Sequence, residues 1–265
     1  MNISVEFLGT RGSRPVPGKN TVIYGGNTSS VRVTAKDTDL LLDAGTGICS
    51  VDLLQKSEGN IFITHTHWDH ILGLPFFKPF YRKGKVKIYG KSGKKISFEK
   101  QIKEIMKDPH FPVNFEDLRC DIQFIEIKED MEIQISKDIT VKTFLNNHPN
   151  GGISYALYID DKKICYVTDT EIIDENFDYF VSNVKNSDMI IFDSNFLESE
   201  YERFRGWGHS TWEMGIKLKE VSNSKRIYMT HHKAERSDQD LSEIEKNFSK
   251  EEGVFAAREG MVVNI

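Results

Sequence analysis

The 265-residue chain has only three cysteines, Cys49, Cys120 and Cys165, scattered and without C-x-x-C spacing. An odd, unspaced set argues against both a disulfide scaffold and a zinc ribbon. Long hydrophobic runs are missing too: no stretch approaches the roughly 20 apolar residues that span a bilayer. No membrane association is expected. The opening Met1-Asn2-Ile3-Ser4-Val5-Glu6-Phe7 alternates like a strand and lacks both the charged start and the apolar core of a secretory signal. These absences give the expectation of a cytoplasmic protein. Excess positive charge is also lacking. Forty acidic residues against 35 basic ones give a formal charge of −5, unlike a general polyanion binder. Proline is sparse, at seven, and no Pro/Ser-rich linker, low-complexity tract or fixed-period repeat divides the chain. A single domain over residues 1–265 is expected.

What is present suits a globular core. Seventeen Phe, nine Tyr and three Trp supply more burial than a disordered chain carries. Alternating or short apolar runs predict strands at 4–8, 30–35, 39–43, 61–64, 85–89, 122–127, 139–146, 154–160, 163–168, 189–193 and 226–230. Weaker strand patterns occupy 22–24, 133–135 and 262–264. Helical spacing appears at 47–55, 71–80, 96–106, 210–221 and 240–248. Asp160-Asp161 between two alternating runs signals a hairpin turn. Two strand-rich halves with helices outside imply an α/β sandwich, not a doubly wound sheet.

Charge is uneven along the chain. Residues 82–107 hold ten Lys/Arg against Glu99 and Glu104. The plain reading is a solvated face; the sharper one is a local field that draws in an anionic substrate.

The strongest chemical signal is Thr64-His65-Thr66-His67-Trp68-Asp69-His70, directly after the apolar run Ile61-Phe62-Ile63. Neutral imidazole is the commonest zinc ligand, and a neighbouring carboxylate adds a harder oxygen donor. At a strand end residues i and i+2 point the same way, so His65 and His67 can grip one ion. After the turn, Asp69 and His70 can face another. Three isolated residues share this setting: His148 after the run ending at Asn146, Asp169 after Thr168, and His231 after Thr230. His232 alternates to the opposite face, and His110 has no strand before it.

The order H-x-H-x-D-H, distant His, distant Asp, distant His resembles the metallo-β-lactamase superfamily over essentially the whole chain. Leu40-Leu41-Leu42-Asp43-Ala44-Gly45 resembles that family's first motif, where the aspartate is mostly structural. The resemblance implies a four-layer αββα sandwich, two mixed sheets with helices on the outer faces and metals at one edge. It implies two divalent ions, zinc first, with manganese or iron also suited to these ligands. One ion would take His65, His67 and His148; the other would take Asp69, His70 and His231; Asp169 would bridge them.

Phe7-Leu8-Gly9-Thr10-Arg11-Gly12-Ser13, Gly25-Gly26-Asn27-Thr28-Ser29 and Gly208-His209-Ser210-Thr211 look like the superfamily's phosphodiesterase branch. That branch includes the tRNA 3′-processing endonuclease ribonuclease Z and cyclic-nucleotide phosphodiesterases. The resemblance implies catalysis by Asp69 and His209, with a metal-bridging hydroxide attacking phosphorus. Phe192-Asp193-Ser194-Asn195 departs from the endonuclease's His-Glu-Ala-Thr-like segment, and no long Gly/Pro/Lys arm for a tRNA elbow is present. The expected substrate is therefore a small phosphodiester such as a cyclic nucleotide, with long nucleic acid disfavoured. The alternatives are a tRNA-processing endoribonuclease, an ester, thioester or lactam hydrolase, and a non-enzymatic binder. A homodimer is compatible with the sequence.

Ser210 and Glu213 match a capping box, so a helix starts here. Its N-terminus would suit a phosphate oxygen, with His209 beside it to bond that oxygen or protonate a leaving group. The Thr10–Ser13 turn is a weaker phosphate contact, and Phe111 and Trp212 are candidates for stacking on a base, though core or rim packing is the commoner use.

Overall fold

The computed structural model describes residues 3–53 and 58–265. The first half of the chain supplies β1 (Ile3–Gly9), β2 (Ser30–Ala35), β3 (Thr38–Leu42), β4 (Gly59–Phe62), β5 (Lys85–Gly90) and β6 (Asp121–Glu126). The second half supplies β7 (Glu132–Ser136), β8 (Ile139–Asn146), β9 (Gly152–Ile159), β10 (Lys162–Val167), β11 (Met189–Asp193), β12 (Ile227–Thr230) and β13 (Val254–Ala256); β14 (Val262–Asn264) returns to the first sheet. The two seven-stranded sheets run β14-β1-β2-β3-β4-β5-β6 and β13-β12-β11-β10-β9-β8-β7. Each begins as an antiparallel meander and continues as a parallel run, β3 to β6 in one and β10 to β13 in the other.

Period-two alternation explains the layering. Leu40 and Leu42 of β3 enter a cluster between the sheets, and Leu41 points to the opposite face. Met189 and Ile191 of β11 likewise face inward, with Ile190 and Phe192 outward. Both faces are covered, so these parallel strands read as unbroken apolar runs. Outside the first sheet pack α1 (Trp68–Ile71) and α2 (Phe98–Lys103), through Ile71, Phe98 and Ile102. Outside the second pack α3 (Asp174–Val184), α5 (Trp212–Val221) and α6 (Asp238–Asn247); α4 (Glu198–Tyr201) is a single exposed turn. Three apolar clusters between four layers make an αββα sandwich. Each fully buried Leu or Ile contributes roughly 1.5–3 kcal/mol to holding the layers together.

Several expectations need correction. Residues 22–24 form a turn: the backbone N–H groups of Ile23 and Tyr24 donate to the Asp238 carboxylate. The helix expected at 71–80 breaks into short 3-10 turns, Leu74–Phe76 and Lys78–Tyr81, because Pro75 and Pro79 cannot donate inside a helix. At 47–55 there is one 3-10 turn, Thr46–Ser50, and the last two positions lie outside the described residues. The Asp160-Asp161 turn joins β9 to β10 as expected, with Asp160 at φ 50°. No helix among the described residues is long and apolar enough to cross a membrane.

Candidate metal centre

Parallel strands deliver their C-terminal ends to one edge of a sheet, and the side chains of interest collect there. His65, His67, Asp69 and His70 follow β4, His148 follows β8, Asp169 follows β10, Asp193 ends β11, and His231 follows β12. Asp43, Asp169 and His231 have φ of 59°, 52° and 55°, so the chain turns sharply on leaving each strand. A left-handed non-glycine residue costs about 1–3 kcal/mol, which here goes into aiming side chains at the common edge.

The seven expected residues fall into two groups that meet at Asp169, and Asp169, Asp193, His209 and His231 form a third that overlaps the second. In the first, one ligating atom each from His65, His67 and His148 lies within 4.8 Å of the others, with His67 Nδ1 3.2 Å from His148 Nε2. In the second, His70 Nε2 is 3.3 Å from Asp69 Oδ2 and 3.1 Å from Asp169 Oδ1, and His231 Nε2 is 3.2 and 3.1 Å from the same two oxygens. Asp169 turns its other oxygen, Oδ2, toward His65 and His148 at 3.8 and 3.9 Å. All seven expected residues are therefore brought together, and Asp169 stands between the groups.

The surroundings fix which nitrogens have lone pairs to offer. His70 Nδ1 donates to Asp43 Oδ2 at 2.8 Å, leaving Nε2 aimed at the carboxylates. His148 Nδ1 donates to the Gly208 carbonyl at 2.9 Å, leaving Nε2 for the first group. Asp43 also accepts from the Thr64 amide and hydroxyl and from Tyr166 Oη, so it has a structural, orienting place behind the ligand loop. The Ser13 amide donates to Asp69 Oδ2 at 2.7 Å. His65 Nε2 and His70 Nε2 are buried with no hydrogen-bond partner. Converging lone pairs and carboxylates repel unless a cation lies among them, so this donor set fits divalent metal ions.

Protonation follows the same division. Burial holds His65 well below the usual histidine range, helped by the neighbouring His70, and burial likewise lowers His67 and His148. These three are neutral imidazoles, the form that binds metal. For His70 and His231 burial also opposes charge, but Asp169 and the other surrounding carboxylates outweigh it and raise both, His231 to about 10. A dication is the natural replacement for those protons.

His209 completes the mouth of the site. Its Nδ1 lies 2.8 Å from Asp193 Oδ2 and 3.9 Å from Asp169 Oδ2. Burial opposes its charged form, yet Asp193 raises it overall. A cavity of about 250 Å³ is lined here by Ser13, His67, Trp68, Asp69, Asp169 and His209.

A family described as a beta-lactamase superfamily domain matches residues 38–232, well over half of the chain. The chain belongs to the beta-lactamase superfamily. A ribonuclease Z of Natronomonas pharaonis is 23% identical to it, over 100% of this chain and 98% of its own. The solved structure of the metallo-beta-lactamase fold protein YhfI from Bacillus subtilis superposes with a TM-score of 0.73 at 18% identity, covering 100% of both chains. A diphosphatase from the PhnP family superposes with a TM-score of 0.69 at 18% identity, covering 100% of this chain and 98% of its own. The sandwich is thus the metallo-β-lactamase fold, and this superfamily member is a metal-dependent hydrolase.

Within that fold, sequence reading missed several contributors. Asp193 ends an apolar strand just as the ligand residues do, and that signal alone could have found it. Gly12 could not be found so: a Cβ there would lie 2.4 Å from His231 Cε1, so only glycine lets the ring sit where it does. Gly208, at φ 86°, similarly leaves room for His148, 2.2 Å from where its Cβ would be. Arg11 is fully buried, donating to the carbonyls of Gly25 and Arg236, and so it buttresses the turn and stays out of the mouth. His232 is buried with Nε2 on the Ala257 carbonyl, away from both groups, and His110 is exposed.

The helix after His209 also differs from expectation. Its cap is Thr211, whose Oγ1 accepts from the Met214 amide, while Ser210 donates to the Thr170 carbonyl. The Trp212 amide donates to the Phe196 carbonyl. These N–H groups are satisfied within the chain, which leaves little for a phosphate. Trp212 is fully buried, stacked 5.5 Å from Phe248, and Phe111 packs edge-on against Phe76. Both belong to packing.

Proposed function

We propose that residues 1–265 act as one hydrolase domain that cleaves a small phosphodiester, with His65, His67, Asp69, His70, His148, Asp169 and His231 holding two divalent ions and His209 serving as general acid. Zinc is our assignment for the metal, because five of the seven donors are imidazoles, and the cytoplasm our assignment for the location. Ions held there would supply Lewis-acid charge for a phosphate and a nucleophile from water at neutral pH.

The observation that carries the reading is the Asp193–His209 pair at the mouth. His209 donates its Nδ1–H to the Asp193 carboxylate, so Nε2 is left to face a substrate, and the raised affinity of the ring for protons suits it to hand one to a departing oxygen. An alkoxide leaving from phosphorus needs that proton. Asp69, fixed by the Ser13 amide, keeps its carboxylate beside the reacting face. The cavity of about 250 Å³ fits a phosphate and part of its substituent, and every strand of the described residues belongs to one of the two sheets, with no extra hairpin to clamp a long RNA.

A second reading, an endoribonuclease on tRNA, is favoured by the relative named ribonuclease Z. Side-by-side rates on bis(4-nitrophenyl) phosphate, a 2′,3′-cyclic nucleotide, a thioester panel and a precursor tRNA separate the possibilities. Turnover of the small diesters without site-specific tRNA cleavage is expected. Cleavage confined to the precursor tRNA, or to thioesters, would overturn the small-phosphodiester reading.

A further inference from the structure

We infer that the substrate carries a second phosphate group, held by Lys91, Lys94 and Lys95 in a cavity that opens beside His65 and His67. The inference rests on the phosphodiester reading above and specifies its substrate more closely.

The basic stretch 82–107 is not uniform once folded. Arg82 pairs with Asp52, Lys87 with Glu58 at 2.9 Å, Lys103 with Glu99 and Glu116 at 3.0 and 2.9 Å, and Lys107 with Glu104. Those cations are answered on the surface. Lys83, Lys85, Lys94, Lys95 and Lys100 have no ion pair among the described residues, and Lys91 has only Glu129, at 3.5 Å. Of these, Lys91, Lys94 and Lys95 line a cavity of about 420 Å³, between the loop at 91–96, the metal loop at 64–67 and the turn at 150–152. No acidic side chain lines it among the described residues. A cationic hollow in a chain of net charge −5 is a local focus for anions.

Position ties the hollow to the chemistry. His67 lines both this cavity and the mouth that holds Asp69, Asp169 and His209. A ligand with its scissile phosphate at the mouth can therefore pass along His67 and place another group among the lysines. The lysine loop is moored to the metal loop: Thr66 Oγ1 donates to Gln101 Oε1 at 2.6 Å, and Gln101 Nε2 donates to the Ile96 carbonyl at 3.0 Å. The volume lies in the range of small-ligand sites, enough for a sugar and a phosphate. Exposed lysines recognise charge and not shape, so a phosphate fits them better than a neutral base.

The test compares thymidine 3′,5′-bisphosphate with thymidine 3′-phosphate by calorimetry on the metal-loaded protein. The bisphosphate should bind roughly tenfold more tightly at low salt, and the advantage should shrink as salt rises. In K94A/K95A the ratio of the two affinities should fall to near one with an unchanged melting temperature, because neither side chain has an ion pair to lose. No advantage in the wild type, or an advantage that survives the double substitution, would overturn the inference. A 3′-phosphorylated dinucleotide, whose second phosphate is a diester, tells an oligonucleotide chain from a terminal phosphate: equal gain assigns the former, lesser gain the latter. Hydrolysis of bis(4-nitrophenyl) phosphate, which has no second phosphate, checks the phosphodiester reading separately.

Discussion

The group formed by His65, His67 and His148 and the group formed by Asp69, His70 and His231 share Asp169, but the protein surrounds them differently. The first has three imidazoles, no carboxylate of its own, and an opening onto the lysine-lined cavity. The second is built from buried residues, with Asp43 behind His70 and Asp193 and Asn195 behind His231, and it reaches the mouth only through Asp69 and the shared Asp169. Burial, helped by neighbouring histidines, keeps the first neutral, whereas carboxylates set the charge of the second. The difference teaches that two sites built from the same residue types can differ in charge and access. The second should hold a dication more tightly, and the first should exchange more readily with solvent and ligand.

The largest effect should come from removing what the groups share. Asp169→Ala should bring metal content, read by elemental analysis, toward zero in both and abolish diester turnover. Retention of two ions would deny the bridge. His209→Ala should lower kcat by about 10²- to 10⁴-fold, the range for a general acid, with metal content unchanged; loss of an ion would instead make His209 a ligand.

Two smaller changes probe the groups separately. In native mass spectrometry, His67→Ala should retain one ion under mild chelation, and Asp43→Asn should weaken the second group about 10- to 100-fold by loosening His70. Equal loss from both groups in either variant would erase the contrast drawn here. The smallest effect belongs to packing: Gly12→Ala should cost about 1–3 kcal/mol by pushing on the His231 ring. Calorimetry should then show a melting temperature lower by several degrees, with the first group's affinity kept.

Strands such as β3 and β11 were legible because burial on both faces leaves unbroken apolar runs. The helix α3 was missed although Phe177, Phe180, Val181 and Val184 fall at helical spacing, because the pattern covers only two turns, and β13 is only three residues long. Metal ligands stood out where the motif is dense, at 65–70, and where a lone His or Asp follows a strand. The pairing of Asp193 with His209 was hidden, because it depends on how a loop after α4 folds back over the edge.

The order of residues by itself determined the alternation that builds two sheets, the exits at which His and Asp are stranded, and the kind of chemistry those donors permit. Only the tertiary structure decided that Asp193 pairs with His209, that Gly12 must be small, and that Lys94 and Lys95, out of ten basic neighbours, are left beside a hollow without a counter-charge. The reason is physical. Local patterns fix the conformation of a segment, but charge balance and close contact are set by partners such as Asp52, Glu58 and Glu116, which the chain brings near only when it closes.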